Sequence, residues 1–201
     1  MEFLSSIDKS NSKLITHDIG GCTNISEHTS VCWIPKNAST SVRTLHLGEW
    51  NNFNTHSPKE LVVFLRNPLE RWISGVTEYA CRGRNINKDE YEHFQRDVLK
   101  NLNIVQFDEH TVPQYHFFWN VNLRTPEKIK FYNLDTNGTA QFFSDYGIKL
   151  PHKNKTVYKT KTDFYRQVER RVTPGLKKNI FQFYKNDYKI INYLNEGDLW
   201  Q

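Results

Sequence analysis

A lysine and a string of small hydroxylated residues close a short apolar run: Val31-Cys32-Trp33-Ile34-Pro35-Lys36-Asn37-Ala38-Ser39-Thr40-Ser41. Such a run suits a buried strand, and Pro35 ends it. Small side chains let backbone N–H groups approach an anion, and the start of a following helix adds the positive end of its dipole. Lys36 brings a full positive charge to the mouth of the loop. The chemistry expected here is phosphate binding. The N–H groups of Asn37, Ala38, Ser39 and Thr40 and the hydroxyls of Ser39, Thr40 and Ser41 would be the donors. A second unit follows. Leu61 to Leu65 read as a buried strand, Arg66 stands at its end, and Arg71 and Ser74 lie on the helix beyond.

Taken singly, each motif also fits something plainer. The first could be a loop with a Ser or Thr helix cap. Arg66 could pair with Glu70, and Arg71 with any acidic neighbour. Leu69, Trp72, Ile73, Val76 and Ala80 have helix-core spacing. Co-occurrence changes the balance. Two strand–loop–helix units each place anion-binding groups at the carboxyl end of a strand, where open α/β sheets bind ligands.

Together the two units resemble the cofactor signature of the sulfotransferases that use 3'-phosphoadenosine 5'-phosphosulfate (PAPS). The resemblance implies that Pro35 to Ser41 grip the 5'-phosphosulfate. It implies that Arg66 and Ser74, in an Arg-x-x-x-x-Arg-x-x-Ser pattern with Arg71, grip the 3'-phosphate. The carbohydrate (Golgi-type) branch is the most similar. Asp108-Glu109-His110 with Pro113-Gln114, and Phe183-Tyr184-Lys185-Asn186-Asp187-Tyr188, support it. The likeness spans roughly residues 28–193. The glycine of the cytosolic members' first loop is replaced by Asn37-Ala38. The implied fold is α/β, a P-loop-like three-layer arrangement with a central, mainly parallel sheet flanked by helices. The implied reaction moves a sulfonyl group from PAPS to a hydroxyl acceptor, a carbohydrate, without a metal.

Sulfonyl transfer resembles phosphoryl transfer, so the protein positions the reactants and stabilises charge. Lys36 is the residue expected to stabilise the leaving phosphate. The acceptor hydroxyl needs a base. His56 ranks first, because the catalytic His of some carbohydrate sulfotransferases falls in the same interval. His110 is second and Glu49 third. A His taken blindly is more often structural. Basic loops at 82–88 and 149–161 could guide an acidic glycan, and Phe117, Phe118 and Trp119 could stack on sugars. Solvated lysines and core aromatics are the plainer readings.

These residues need a scaffold. Strands are expected near Val31, at Leu61 and over Ile129 to Leu134, with a short one near Phe53 and an edge strand around Lys13 to Ile15. Gly20-Gly21 reads as a turn. Helices are expected from Thr40 to about Leu47, from the second motif to Cys81, and over Glu90 to Leu102 and Thr139 to Tyr146. A last one runs from Gly175 to Leu194, with Thr173 as cap and Pro174 at the first turn. Residues 151–163 read as a Lys-rich loop. Strands alternating with helices indicate a parallel sheet with helices on its faces.

At 201 residues, 1–201 is expected to be one domain. A net charge of +5 and a pI of about 9.0 suit an anionic cofactor or acceptor. They would also suit nucleic acid, which is not the expected partner. A P-loop kinase or NTPase is the other alternative. It lacks support, because no Gly-Lys-[Ser/Thr] with upstream glycines and no clear Mg-holding Asp is present. Cys22, Cys32 and Cys81 have no metal spacing and read as free thiols. The Met-Glu-Phe-Leu start has no basic region or apolar run, so neither a signal peptide nor a membrane span is expected. The expected location is the cytoplasm, of a bacterium or a virus-infected host cell. Composition leaves the oligomeric state open.

Overall fold

The computed structural model describes residues 21–43, 45, 50–52, 58–82, 88–119, 128–151 and 159–195. Among the described residues, five strands form one sheet: β1 (Gly21–Asn24), β2 (Thr29–Cys32), β3 (Trp50–Asn52), β4 (Glu60–Leu65) and β5 (Lys128–Asn133), in the order β3-β1-β2-β4-β5. β2 pairs β4 in parallel, and β4 pairs β5 in parallel. β1 is antiparallel to both β2 and β3. Four strands therefore share one direction and β1 opposes them. The fold is α/β, with a mainly parallel sheet flanked by helices.

Side-chain alternation divides the sheet's two faces. Val31, Val62, Phe64 and Tyr132 point to one, where Val42 of α1 (Ser39–Arg43) and Phe142 of α5 (Thr136–Tyr146) cover them. Cys32, Leu61, Val63, Leu65 and Ile129 point to the other. There they meet Val112, Tyr115, Phe117 and Phe118, the last two from α4 (His116–Trp119), and Ile190 of α8 (Lys185–Asn195). β4 is buried on both faces, as a central parallel strand must be. Phe117 and Phe118 are thus core side chains and do not form a sugar-stacking surface.

Helix α2 (Pro68–Cys81) is the site's main beam. Asn67 caps it by accepting from the N–H groups of Leu69 and Glu70, and Pro68 occupies the first turn. Its apolar stripe, Trp72, Ile73, Val76 and Ala80, packs into a second core. That core adds Val98 of α3 (Lys88–Lys100), Phe164 and Val168 of α6 (Lys159–Arg170), and Leu176 and Ile180 of α7 (Pro174–Phe183).

Several expectations change. Gly21 is the first residue of β1 rather than part of a turn. The Lys-rich loop ends early, because α6 begins at Lys159. The last helix is two, α7 and α8, separated at Tyr184. The first-motif helix is described only to Arg43, and the Lys13 to Ile15 strand and Phe53 lie outside the described residues. Among the described residues, no helix is long and apolar enough to cross a membrane.

Candidate functional site

The loop after β2 is a tight turn. The Asn37 N–H donates to Ile34 O at 3.0 Å, with Pro35 and Lys36 between them. Lys36 has φ +69°, and Ala38 follows at φ +59°. Pro at the second position and positive φ at the third is the pattern of a type II turn, where glycine usually stands. A side chain in the left-handed region costs about 1–2 kcal/mol. This chain places a lysine there, and strain of this kind clusters at functional sites. Alternating backbone handedness also makes a concave nest of N–H groups.

The structure assigns Asn37 a structural task. Its N–H is used by Ile34, and its buried amide donates to Phe64 O at 2.8 Å and to Gln114 Oε1. The donors expected of this loop therefore reduce to Ala38, Ser39 and Thr40, at the start of α1, where N–H groups have no intrahelical partner. Ser41 is buried. Nothing is described of the Thr40 side chain.

Lys36 Nζ lies 2.9 Å from Glu78 Oε2. The same carboxylate oxygen is 2.5 Å from Lys161 Nζ, on α6. Burial pushes the Lys36 ammonium down, against the Glu78 carboxylate, which holds it charged. Burial alone would raise Glu78, but the two lysines bring it down to about 2. Arg66, at the end of β4, is close enough that its charge also acts on Lys36. Arg66 Nε is 3.5 Å from Glu70 Oε2, one turn along the chain. Glu70, Ser74 and Glu78 follow at i, i+4 and i+8 on α2, so they share a row. Lys36 meets one end of that row and Arg66 the other, with Ser74 between.

Arg71, the middle member of the second motif, is fully buried. Its guanidinium donates to Pro35 O at 3.1 Å and to Val112 O, and it lies 5.7 Å from the Phe117 ring centroid. It braces the first loop from beneath. Arg66 is the arginine that faces solvent.

Gln114 joins the two units. Its Oε1 accepts from the Arg66 N–H at 2.9 Å and from Asn37, while its Nε2 donates to Arg66 O at 2.9 Å. Asp187 of α8 anchors Gln114 and is fully buried. It accepts from the N–H groups of Gln114 at 2.8 Å and Tyr115 at 3.0 Å. Burial pushes Asp187 up to about 6, against these hydrogen bonds.

His110 sits nearby, with both ring nitrogens engaged. Nδ1 is 3.0 Å from Asp108 Oδ2, and Arg82 Nη2 is 3.0 Å from Nε2. Arg82 also pairs with Glu109 at 2.9 Å. In the tautomer this implies, Nδ1 donates to Asp108 and Nε2 accepts from Arg82. Gly75 permits this approach, since a Cβ there would lie 2.5 Å from His110 O. Asp108, Glu109 and His110 place ligand-type atoms within 4.8 Å of one another. The Arg82 guanidinium already occupies that cluster's negative charge. His56 and Glu49 lie outside the described residues.

Sequence reasoning marked Lys36, Arg66 and Ser74, and the structure brings them to one row of α2. It missed Glu78 and Lys161. Glu78 could have been found by counting i+4 from Ser74. Lys161 shares a face with Phe164 and Val168 of α6, a signal hidden by reading the segment as a loop. No family model matches the chain, and no curated protein or solved structure matches it.

Proposed function

We propose that this chain is a PAPS-dependent sulfotransferase that moves a sulfonyl group to a hydroxyl acceptor, with a carbohydrate as the acceptor class. One observation carries the reading. Lys36 and Arg66 leave the carboxyl ends of the adjacent parallel strands β2 and β4, and Gln114 ties both loops together. The charge balance fits an anionic ligand: among the described residues, Lys36, Lys161 and Arg66 pair with Glu78 and Glu70. We further propose that the sheet is P-loop-like, with the β2–loop–α1 unit in the phosphate-binding role.

In this reading the loop from Lys36 to Ser41 holds the 5'-phosphosulfate, through the N–H groups of Ala38 to Thr40. Arg66 and Ser74 hold the 3'-phosphate, Arg66 through its planar fork. PAPS supplies the sulfonyl group and carries the leaving phosphate. The acceptor oxygen bonds to sulfur, the bridging S–O bond breaks, and 3',5'-ADP (PAP) departs. Lys36 stabilises the charge that grows on the bridging oxygen. The acceptor's proton goes to a base. His110 has both nitrogens engaged, which favours His56. Buried free thiols at Cys22 and Cys32, opposite each other on β1 and β2, suit a cytoplasmic setting.

The test is a thermal-shift comparison of PAP with ADP, AMP and ATP on the full chain. PAP is expected to stabilise most. Equal stabilisation by ADP would remove the 3'-phosphate site and this reading with it.

A further inference from the structure

We infer that Lys161 is a second ammonium of the anion site, and that Glu78 is the internal carboxylate against which a phosphate or phosphosulfate competes for Lys36 and Lys161. The inference deepens the phosphosulfate reading above and rests on it.

The argument starts from α6. Phe164 and Val168 are its buried residues against α2. Lys161 lies three residues before Phe164 and seven before Val168, so it continues that stripe toward the helix start. A lysine normally occupies the solvated face. This one turns inward, with its side chain 26 % exposed, onto Glu78. The plain reading is a salt bridge pinning α6 to α2, and one lysine would satisfy it.

Glu78 carries two. Lys36 and Lys161 both reach the same Oε2, at 2.9 and 2.5 Å. One carboxylate cannot neutralise two ammonium groups, and the Arg66 charge also acts on Lys36. Among the described residues, these three cations are opposed by Glu78 and by the more exposed Glu70. Partly buried surplus charge is costly without a counter-charge. A multiply charged anion supplies it, and the two ammonium groups are already convergent. Oxygens of a terminal phosphate or sulfonate match a pair of lysines that share one carboxylate oxygen. Glu78 keeps the cations convergent until that exchange.

The test titrates the full chain with PAP and, separately, with inorganic pyrophosphate, by calorimetry at two salt concentrations. The variants are Lys161→Met, Lys161→Arg and Glu78→Gln. Methionine continues the apolar stripe and preserves the fold. Lys161→Met is expected to weaken PAP about tenfold, the effect of one lost charge-assisted contact. It should also flatten the salt dependence, and Lys161→Arg should restore most of the affinity. Glu78→Gln is expected to tighten PAP binding severalfold by removing the competitor.

If Lys161→Met lowers the melting temperature but leaves the PAP affinity unchanged, Lys161 is only a structural pin and the inference fails. Weaker binding by Glu78→Gln would also contradict it. If the wild type takes pyrophosphate but not PAP, and Lys161→Met loses it, the anion site stands and the sulfotransferase reading falls. If neither probe binds, both fall.

Discussion

Gln114 holds the peptide of Arg66 at both of its polar groups, accepting from its N–H and donating to its C=O, each at 2.9 Å. A side-chain amide that completes a backbone in this way acts as one more strand partner beyond the carboxyl end of β4. The same Oε1 takes the Asn37 amide, so a displacement of Gln114 moves both loops. Gln114→Ala should leave the N–H and C=O of Arg66 and one amide hydrogen of Asn37 unpaired, at about 1–3 kcal/mol for each group that water cannot reach. The expected outcome is a large stability loss in urea unfolding, with PAP affinity falling even where the variant is folded. A folded variant with normal affinity would separate the clamp from the site.

Lys36 and Ala38 hold positive φ without being glycine. Lys36→Ala keeps the strained backbone and loses the contact to Glu78, whereas Lys36→Gly loses the contact and relieves the strain. The glycine variant should therefore be the more stable of the two by about 1 kcal/mol, the reverse of the usual order. Both should be inactive. Denaturant midpoints give the answer, and a less stable glycine variant would show that the loop is not strained.

Arg66 and Arg71 belong to one motif but have different tasks. Arg66 pairs with a carboxylate that is 59 % exposed, so Arg66→Ala should change stability by less than about 1 kcal/mol. Arg71→Ala should cost about 3–5 kcal/mol, because it removes a buried group that satisfies the carbonyls of Pro35 and Val112. Chemical denaturation checks both. Unfolding by Arg66→Ala would make that arginine structural.

Two buried groups give stability opposite slopes with pH. Burial brings His116 down from 6.5 to about 4, so the folded state resists its protonation and this contribution is lost as pH falls through that window. Asp187 is raised from 3.8 to about 6, so the folded state binds its proton first and this contribution grows as pH falls from 6 toward 4. The two largely offset each other. His116→Phe should make stability rise on mild acidification, and Asp187→Asn should make it fall more steeply. Melting curves between pH 4 and 7 measure both slopes. Parallel shifts without a change of slope would contradict the assignment.

Much of the scaffold was legible because its signals are local. β4 and α2 announce themselves by an apolar run, Asn67-Pro68 and a helical stripe ending near Cys81. β5 and α5 are equally direct. β1 was hidden because Gly20-Gly21 reads as a turn until the pairing of β1 with β2 is seen. α6 was hidden by its lysines, and the break at Tyr184 by an apolar period that runs on through α7 and α8. At the site, Lys36 and Arg66 stand at strand ends and are visible. Glu78, Lys161, Gln114 and Asp187 act on them across the fold, and spacing along the chain carries no trace of those pairings. The segments holding Gln114 and Asp187 were marked by resemblance, but their task as a clamp emerges only from the tertiary contacts.

The central claim is a site built for two separate phosphates, and the ratio of PAP to ADP affinity tests it most directly. The measurement is calorimetric titration of both nucleotides into the wild type and Arg66→Ala. The expected result is PAP binding at least tenfold tighter than ADP to the wild type. That preference should collapse in Arg66→Ala, where one charge-assisted contact of about 1.5–3 kcal/mol is gone. Equal affinities in the wild type, or a preference that survives Arg66→Ala, would contradict the account.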